Sequence, residues 1–339
     1  MKLTKNEMKD IIRVATIYAT GGGVSLQGQY NEIDKLSNNA NVEIREISDF
    51  NNNDYVIRIG GIGPSTEECD DFSNVREMID LLQQISSCKI AGIYPVELGQ
   101  ESSTFTASIN ANIPVVNFDP AGMRAKPCVD ISIFELLKLD YSLSPLVIST
   151  TNHEYMSIHN RLSAKRNEEI LRNFVRINNG QAITHCSGIV KISTLIQNNI
   201  VNSPYAILQK MIKMSFEEWL KTESVKQTFI DIKIIKVEEK ELTGFVIKYV
   251  DFIHNSKKYK LILQNETMFI LDEQKQPVYS VPDRICLVDR QRMEGVWCGN
   301  LKEGMELTVV VLEPERIWKQ NLKRAEEIFG YERFKNLII

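Results

Sequence analysis

The sequence has no apolar run long enough for a membrane span and no strong excess of charge of either sign. No stretch reaches the ~18 apolar residues that a transmembrane helix needs. The N-terminal segment MKLTKNEMKDIIRV carries charges where a signal peptide has its apolar region. The formal net charge is −4, which gives no general attraction to nucleic acid or anionic lipid. We therefore expect a cytoplasmic protein that binds neither membranes nor nucleic acid.

Cysteine and histidine are sparse and scattered. The six cysteines contain no C-x-x-C pair, and a chain of 339 residues can form a core without disulfides, so we expect free thiols. His185 and Cys186 are weak candidates for a metal site, because adjacent residues seldom bind the same ion. The alternative is an ordinary buried histidine and cysteine, and the sequence leaves the need for a divalent metal open.

The glycine-rich segments lack the spacing of known phosphate-binding loops. Gly60, Gly61 and Gly63 follow a predicted strand but do not form G-x-G-x-x-G. The triplet Gly21 to Gly23 follows a predicted helix, and no G-K-[ST] accompanies it. No nucleotide cofactor is therefore expected.

Hydrophobic periodicity divides the chain into two halves of different character. In the first half it predicts helices over 5–19, 74–85 and 102–111, with strands over 55–59, 89–93, 113–118 and 146–149. A polar helix over 163–178 is predicted to lead into the second half. Helical turns over 205–214 and 216–221 then precede short strands over 229–237, 243–250, 258–264, 267–271, 284–288 and 307–312. We predict an α/β domain with a mainly parallel or mixed sheet over residues 1–165, and a β-rich α+β domain over 166–339.

The segment 95–127 concentrates polar residues at the ends of predicted strands. Glu97 follows the strand over 89–93, and Asp119 and Arg124 follow the strand over 113–118. The carboxyl ends of such strands meet at one rim of an α/β sheet, where a loop can hold a carboxylate and a guanidinium over a crevice. The alternative is an ordinary loop in which Asp119 caps the next helix.

Several short motifs follow one another along the chain. They are Thr20-Gly21-Gly22-Gly23, Gly61-Ile62-Gly63-Pro64 with Glu67, Glu97 to Ser103, Pro114 to Pro127, Gln264-Asn265-Glu266, and Val281-Pro282-Asp283 with Asp289. In this order they resemble the S-methyl thiohydantoin desulfurase family, some members of which carry hydantoinase-like labels. The chain departs from the family pattern after the glycine triplet, where Val24-Ser25-Leu26 follow in place of another Gly and then Pro. It also departs at three further signature positions: Gln100 replaces a glycine, Asn117 replaces an aspartate, and Met123 is inserted.

The resemblance implies hydrolytic attack on a thiohydantoin- or hydantoin-like five-membered ring. Water adds to a ring carbon and a thiol or sulfide leaves, which requires a base, a cation or acid near the sulfur, and donors for the ring carbonyls. Asp119 or Glu97 would be the base, and Arg124 would orient a carbonyl. The substrate site would use backbone or side-chain groups of Gly21, Gly22, Gly23, Gly61, Gly63, Gln100, Ser102 and Gly122.

Two further sets of residues stay open at this stage. Asn265 and Glu266 are outer candidates for the site, against the alternative of ordinary turn residues. Cys128 could act as a nucleophile, against the alternative of a packed thiol. The implied partner is a small cyclic amide or thioamide, and a homo-oligomer is compatible with the sequence. The three departures motivate an alternative function, a non-catalytic ligand-binding or assembly subunit of a cyclic-amide-processing system.

Overall fold

The chain forms two sheets that follow one another in sequence. The computed structural model describes residues 1–63, 72–150, 152–200, 202–242 and 245–338, and the strands within these ranges form two eight-stranded sheets. The first is a mixed sheet covered by helices and the second is antiparallel. This confirms the predicted fold class.

The first sheet has a parallel centre and antiparallel flanks. Its strands are β1 Lys2–Thr4, β2 Asn41–Arg45, β3 Tyr55–Ile62, β4 Ile90–Pro95, β5 Val115–Val116, β6 Leu146–Ser149, β7 Tyr155–Ile158 and β8 Ile183–Lys191. They are ordered β1-β2-β5-β4-β3-β8-β6-β7. The pairs β2–β5, β5–β4 and β4–β3 are parallel, so the chain leaves these strands at one common rim.

Nine α-helices precede the second sheet within the described ranges. They are α1 Lys5–Tyr18, α2 Leu26–Lys35, α3 Val75–Ser86, α4 Glu101–Ala111, α5 Ile133–Leu136, α6 Ala164–Ile177, α7 Ile192–Gln197, α8 Pro204–Met211 and α9 Phe216–Thr222. Helix α1 begins with a capping box, in which the Thr4 side chain accepts from the Glu7 N–H and the Glu7 carboxylate accepts from the Thr4 N–H. Helices α3 and α4 pack their apolar residues against β3 and β4. No helix in the described ranges is both long and apolar enough to cross a membrane.

The second sheet is a twisted antiparallel array followed by short helices. Its strands are β9 Val225–Leu242, β10 Phe245–His254, β11 Lys257–Gln264, β12 Glu266–Leu271, β13 Pro277–Ser280, β14 Arg284–Asp289, β15 Glu294–Gly295 and β16 Glu306–Leu312. The order is β13-β12-β11-β10-β9-β16-β14-β15. Helices α10 Arg316–Gln320, α11 Leu322–Phe329 and α12 Tyr331–Phe334 follow, and 3₁₀ turns lie at Ile47–Asp49, Cys298–Asn300 and Lys335–Leu337.

Two details of the predicted organisation were wrong. The strand predicted over 55–59 is longer, because β3 continues to Ile62 and Gly60 pairs with His185 of β8. The polar helix α6 does not lead directly to the second half, because β8 follows it and pairs with β3 and β6 in the first sheet. The division at residues 165 and 166 stays a prediction. The motif residues Pro64 and Glu67, and the start of the strand predicted at Thr243, lie outside the described residues.

Candidate active site

A narrow pocket opens where the ends of β3 and β4 meet the turn between β11 and β12. Its cavity volume is about 60 Å³, well below the ~300 Å³ or more of a site for a drug-sized ligand. Its polar side chains are those of Glu97, Gln100, Lys126, Cys128, Arg172, Asn265 and Glu266. Both halves of the chain contribute to this lining, so the pocket depends on their contact and suits a small ligand.

Glu97 and Lys126 form a buried ion pair in this pocket. Lys126 Nζ lies 3.9 Å from Glu97 Oε2, and the two side chains are 1% and 5% exposed. The same carboxylate oxygen accepts a hydrogen bond from the Lys126 backbone N–H at 3.0 Å. Burial raises the pKa of Glu97 and lowers the pKa of Lys126, while the charge of each partner opposes these shifts. Their proton affinities are brought closer together, which suits proton transfer to and from a bound ligand.

The turn Asn265-Glu266 contributes two residues to the pocket lining, and each has a side-chain oxygen without a hydrogen-bond partner. Asn265 Oδ1 and Glu266 Oε2 are buried and have no hydrogen-bond partner. Asn265 has φ of +60°, a left-handed conformation that asparagine tolerates better than most residues. Burial, and then the negative charge of Glu97, raise the pKa of Glu266 well above its usual value. Burial therefore favours the protonated form of the Glu266 carboxyl group.

The glycine triplet before α2 supports the pocket through close contacts. A Cβ added at Gly22 would lie 2.1 Å from Glu266 Oε1, so only glycine leaves the carboxyl group its place. Gly23 lines the pocket, and a Cβ there would lie 2.4 Å from the carbonyl oxygen of Gly99. Gly21 accepts a hydrogen bond from the Cys298 N–H at 2.8 Å and does not line the pocket. The triplet thus holds the first half against the turn of the second sheet.

The other predicted substrate-binding residues of this region divide into two groups. Gly61, Gly63 and Gln100 line the pocket. Gln100 Nε2 donates to Glu97 Oε1 at 3.0 Å, which orients the carboxylate. Ser102 is buried on α4 behind the pocket, and its N–H donates to Gln29 Oε1 at 3.3 Å.

Asp119 lies outside the pocket lining and closes a turn after β5. Its Oδ1 accepts from the Ala121 N–H at 2.8 Å and its Oδ2 accepts from the Met123 N–H at 2.6 Å. Burial raises the pKa of Asp119 to about 7, although these two hydrogen bonds oppose the shift. Its role as the base stays a prediction, and the carboxylate that the pocket presents is Glu97.

Arg124 and Gly122 connect the two halves of the chain and do not line the pocket. Arg124 Nη1 donates to the Pro282 carbonyl at 2.6 Å, and the guanidinium lies 4.1 Å from the centre of the Phe329 ring. Gly122 has φ of +80°, and a Cβ there would lie 2.5 Å from Trp318 Nε1. In this structure the predicted orienting role of Arg124 would require its guanidinium to leave the Pro282 carbonyl.

The two weak metal candidates lie on β8 and are not placed to share an ion. His185 and Cys186 are neighbours on a strand, so their side chains point to opposite faces of the sheet. His185 Nδ1 lies 2.9 Å from Ser187 Oγ, whereas Cys186 packs in the apolar cluster under α3 and α4. Burial and the nearby charges of Arg58 and Lys126 hold the pKa of His185 well below its usual value. No group of three His, Cys, Asp or Glu side chains in the described part of the chain is placed to hold a metal ion.

Sequence reasoning missed two cations of the pocket. Lys126 belongs to the same motif as Arg124, Pro114 to Pro127. Its position next to the final proline of this motif was the sequence feature that could have identified it. Arg172 of α6 donates to the Gly63 carbonyl at 3.4 Å and to the Pro127 carbonyl at 2.8 Å, so it fixes the pocket wall. The spacing of residues along α6 does not identify Arg172 as a residue of the site. Cys128 lines the pocket, but burial raises the pKa of its thiol, which disfavours the thiolate that a nucleophile requires.

The fold defines a two-domain protein with a mixed and an antiparallel sheet, and residues of both halves line its candidate site. Two family models match it, the S-Me-THD-like N-terminal domain at residues 6–160 and the S-Me-THD-like C-terminal domain at residues 186–336. The chain therefore belongs to the S-Me-THD-like family.

A solved structure shares the fold over almost the whole chain. The X-ray crystal structure of a protein from Chromobacterium violaceum, a structural genomics target, aligns with a TM-score of 0.73 and 12% sequence identity, and the alignment covers 96% of each chain. At this identity the likeness shows the fold alone. A comparison with curated proteins gives no match.

Proposed function

We propose that this protein replaces sulfur by oxygen at an sp² carbon of a thiohydantoin-like ring, as an S-methyl thiohydantoin desulfurase would. Membership of the S-Me-THD-like family supports the proposal. The observation that carries it is the buried Glu97–Lys126 pair, with the carboxyl group of Glu266 in the same small pocket. A base, a proton donor for the leaving sulfur and a hydrogen-bond donor for a ring carbonyl are the groups that such a substitution needs.

The residues fit the following sequence of steps. Glu97 takes a proton from water as the water oxygen bonds to the ring carbon that carries sulfur, and the adjacent ring nitrogen receives that proton. The C–S bond then breaks, and Lys126 protonates the leaving thiolate. The remaining hydroxyl proton passes through Glu97 to Lys126, which leaves a ring carbonyl and a free thiol. Water is consumed once, and no oxidant or reductant is needed.

A matched pair of carboxamide variants tests the proposal. Glu97→Gln removes the base and should lower turnover of an S-methyl thiohydantoin by about 100-fold or more. Glu101→Gln is the control, because Glu101 is equally buried but accepts from the Gly99 N–H and does not line the pocket. It should keep most of its turnover. Released thiol from S-methyl thiohydantoins, released sulfide from thiohydantoins and ring opening of hydantoins would be measured, with and without added divalent metal. No release from any ring by the unaltered protein would contradict the proposal.

One observation favours a second function, a non-catalytic ligand-binding subunit. Gln100 stands where the family pattern has glycine, and its amide occupies Glu97 Oε1. A hydrogen bond to this oxygen reduces the basicity of the carboxylate. Rings that bind without any release of thiol, in both the unaltered protein and Gln100→Gly, would favour this second function.

A further inference from the structure

The polar side chains on the two sides of the pocket differ in whether their hydrogen-bonding atoms have partners. On the side of the first sheet, Glu97 is bonded to Gln100 and to the backbone of Lys126. On the side of the second sheet, Asn265 Oδ1 and Glu266 Oε2 lack partners. Several buried side-chain atoms of the described residues lack partners, and these two are the ones that belong to pocket-lining residues. A buried polar atom without a partner is costly, so a ligand that pairs with both atoms is strongly favoured.

Close contacts confine the Glu266 carboxyl group and the backbone of Asn265. An added Cβ at Gly22 would lie 2.1 Å from Glu266 Oε1, so Gly22 packs closely against this carboxyl group, and Oε2 is its oxygen without a partner. The backbone N–H of Asn265 donates to the Val246 carbonyl at 3.4 Å, which ties the turn to β10. Asn265 and Glu266 line the same small pocket, so both side chains can contact a single small ring.

We propose that Asn265 and Glu266 select the substrate through one amide edge of its ring. Asn265 Oδ1 accepts a hydrogen bond from a ring N–H. Glu266 Oε2 carries the hydroxyl that donates to the adjacent ring carbonyl. The inference rests on the proposed function and adds its substrate class, which is five-membered rings with an unsubstituted N–H beside a carbonyl at the one edge that meets Asn265 when the reacting carbon faces Glu97 and Lys126. Rings methylated on that nitrogen are rejected, because a methyl group leaves Asn265 Oδ1 buried and unpaired. The first half of the chain then performs the chemistry and the second half recognises the ring.

Binding of hydantoin and its two N-methyl isomers, 1-methylhydantoin and 3-methylhydantoin, tests this edge directly. In isothermal titration calorimetry of the unaltered protein, one isomer should bind about 10- to 100-fold more weakly than hydantoin, and the other should bind much closer to hydantoin. The two isomers have the same size and composition, so a general effect of the methyl group would weaken both.

Variants of the turn assign the discrimination to Asn265. Asn265→Gly removes the side chain and keeps the left-handed backbone, since glycine accepts a φ of +60° readily. It should bind hydantoin about tenfold more weakly and lose the preference between the two isomers. Asn255→Gly is the matched control, because Asn255 also has positive φ and lies exposed in the turn between β10 and β11.

Substitutions at Glu266 separate hydrogen bonding from shape. Glu266→Gln keeps a donor and an acceptor and should keep most of the affinity for hydantoin, whereas Glu266→Met should lose about tenfold. Equal affinities of the unaltered protein for the two isomers, or an unchanged isomer preference in Asn265→Gly, would overturn the inference. If thiol release from an S-methyl thiohydantoin continues under that outcome, the proposed function stands and only the recognition edge is wrong. If no ring releases thiol but the isomer preference depends on Asn265, the edge is supported and the desulfurase chemistry fails.

Discussion

Replacing Gly23 by alanine tests how tightly the loop before α2 is held against the loop before α4. Gly23 has φ of +70°, and an added Cβ would lie 2.4 Å from the carbonyl oxygen of Gly99. That oxygen accepts hydrogen bonds from the Val24 N–H at 3.1 Å and from Gln29 Nε2 at 3.1 Å. The obstructing atom belongs to the backbone and has two hydrogen bonds to lose, so the structure cannot relieve the clash by turning a side chain.

Gly304→Ala supplies the matched control for backbone strain. Gly304 has φ of +80°, and an added Cβ would meet no atom within 4 Å. Both variants carry the cost of a left-handed alanine, about 1–2 kcal/mol. Overpacking adds ~1–3 kcal/mol at Gly23 alone. The free energy of unfolding of Gly23→Ala should therefore be lower than that of Gly304→Ala by about 1–3 kcal/mol.

Urea unfolding followed by tryptophan fluorescence measures this difference, provided that the m values of the two variants agree. Equal losses of stability would refute the reasoning, since they would show that the loops separate freely when a side chain intrudes. Gly23 also lines the pocket. The affinity for hydantoin should fall in Gly23→Ala and stay unchanged in Gly304→Ala.

Three further predictions concern residues around the pocket. Burial raises the pKa of Glu101 to about 8, so the folded state binds this proton more tightly than the unfolded state. The stability that this provides is fully present below the unfolded pKa near 4.5 and is lost as pH rises through about 8. Unfolding free energies measured across this range should fall by up to ~1.4 kcal/mol per pH unit for this group, and Glu101→Gln should show a shallower fall. Asp119→Asn should lower the free energy of unfolding by about 1–3 kcal/mol, because an amide oxygen can replace one of the two carboxylate acceptors but not both. Turnover per folded molecule should persist in this variant. A loss of turnover would support Asp119 as the base. Arg124→Lys should also lower the midpoint of thermal unfolding. Lysine cannot both reach the Pro282 carbonyl and stack on Phe329 as a planar group. An unchanged midpoint would contradict the connecting role of Arg124.

The broad fold was predictable because it follows from local periodicity. The helices α1, α3 and α4 and the strands β3, β4 and β6 match the spacing of apolar residues closely. The strand β8 escaped prediction because a polar helix precedes it and its sequence mixes polar and apolar residues. It is a strand because its backbone pairs with β3 on one side and β6 on the other, and this information is not local.

The site was predictable only in part, because its key pairs are distant in sequence. Glu97 was found at the end of a strand, where strand geometry places functional residues. Its partnership with Lys126 spans 29 residues and its electrostatic coupling to Glu266 spans the two halves of the chain. The pattern of motifs indicated which segment of the chain forms the site. It could not distinguish Glu97, which lines the pocket, from Asp119, which closes a turn.

The inserted Met123 has a structural explanation in the turn that Asp119 closes. Met123 has φ of +57°, and its N–H donates to Asp119 Oδ2 at 2.6 Å. The extra residue is therefore accommodated within the turn by a hydrogen bond of its own. Met123 is not among the residues that line the pocket.

Asn117 and Gln100, which also depart from the family pattern, each donate a side-chain hydrogen bond to a glutamate. Asn117 Nδ2 donates to Glu46 Oε1 at 2.7 Å, a contact that an aspartate could make only by placing two carboxylates together. The asparagine is thus the residue that Glu46 requires. Gln100 donates to Glu97 Oε1 at 3.0 Å and leaves Oε2 facing Lys126, so it orients the carboxylate without displacing it. Because each departure forms a contact and none removes a charged group from the pocket, the altered signature argues for a different tuning of Glu97 rather than for loss of the site.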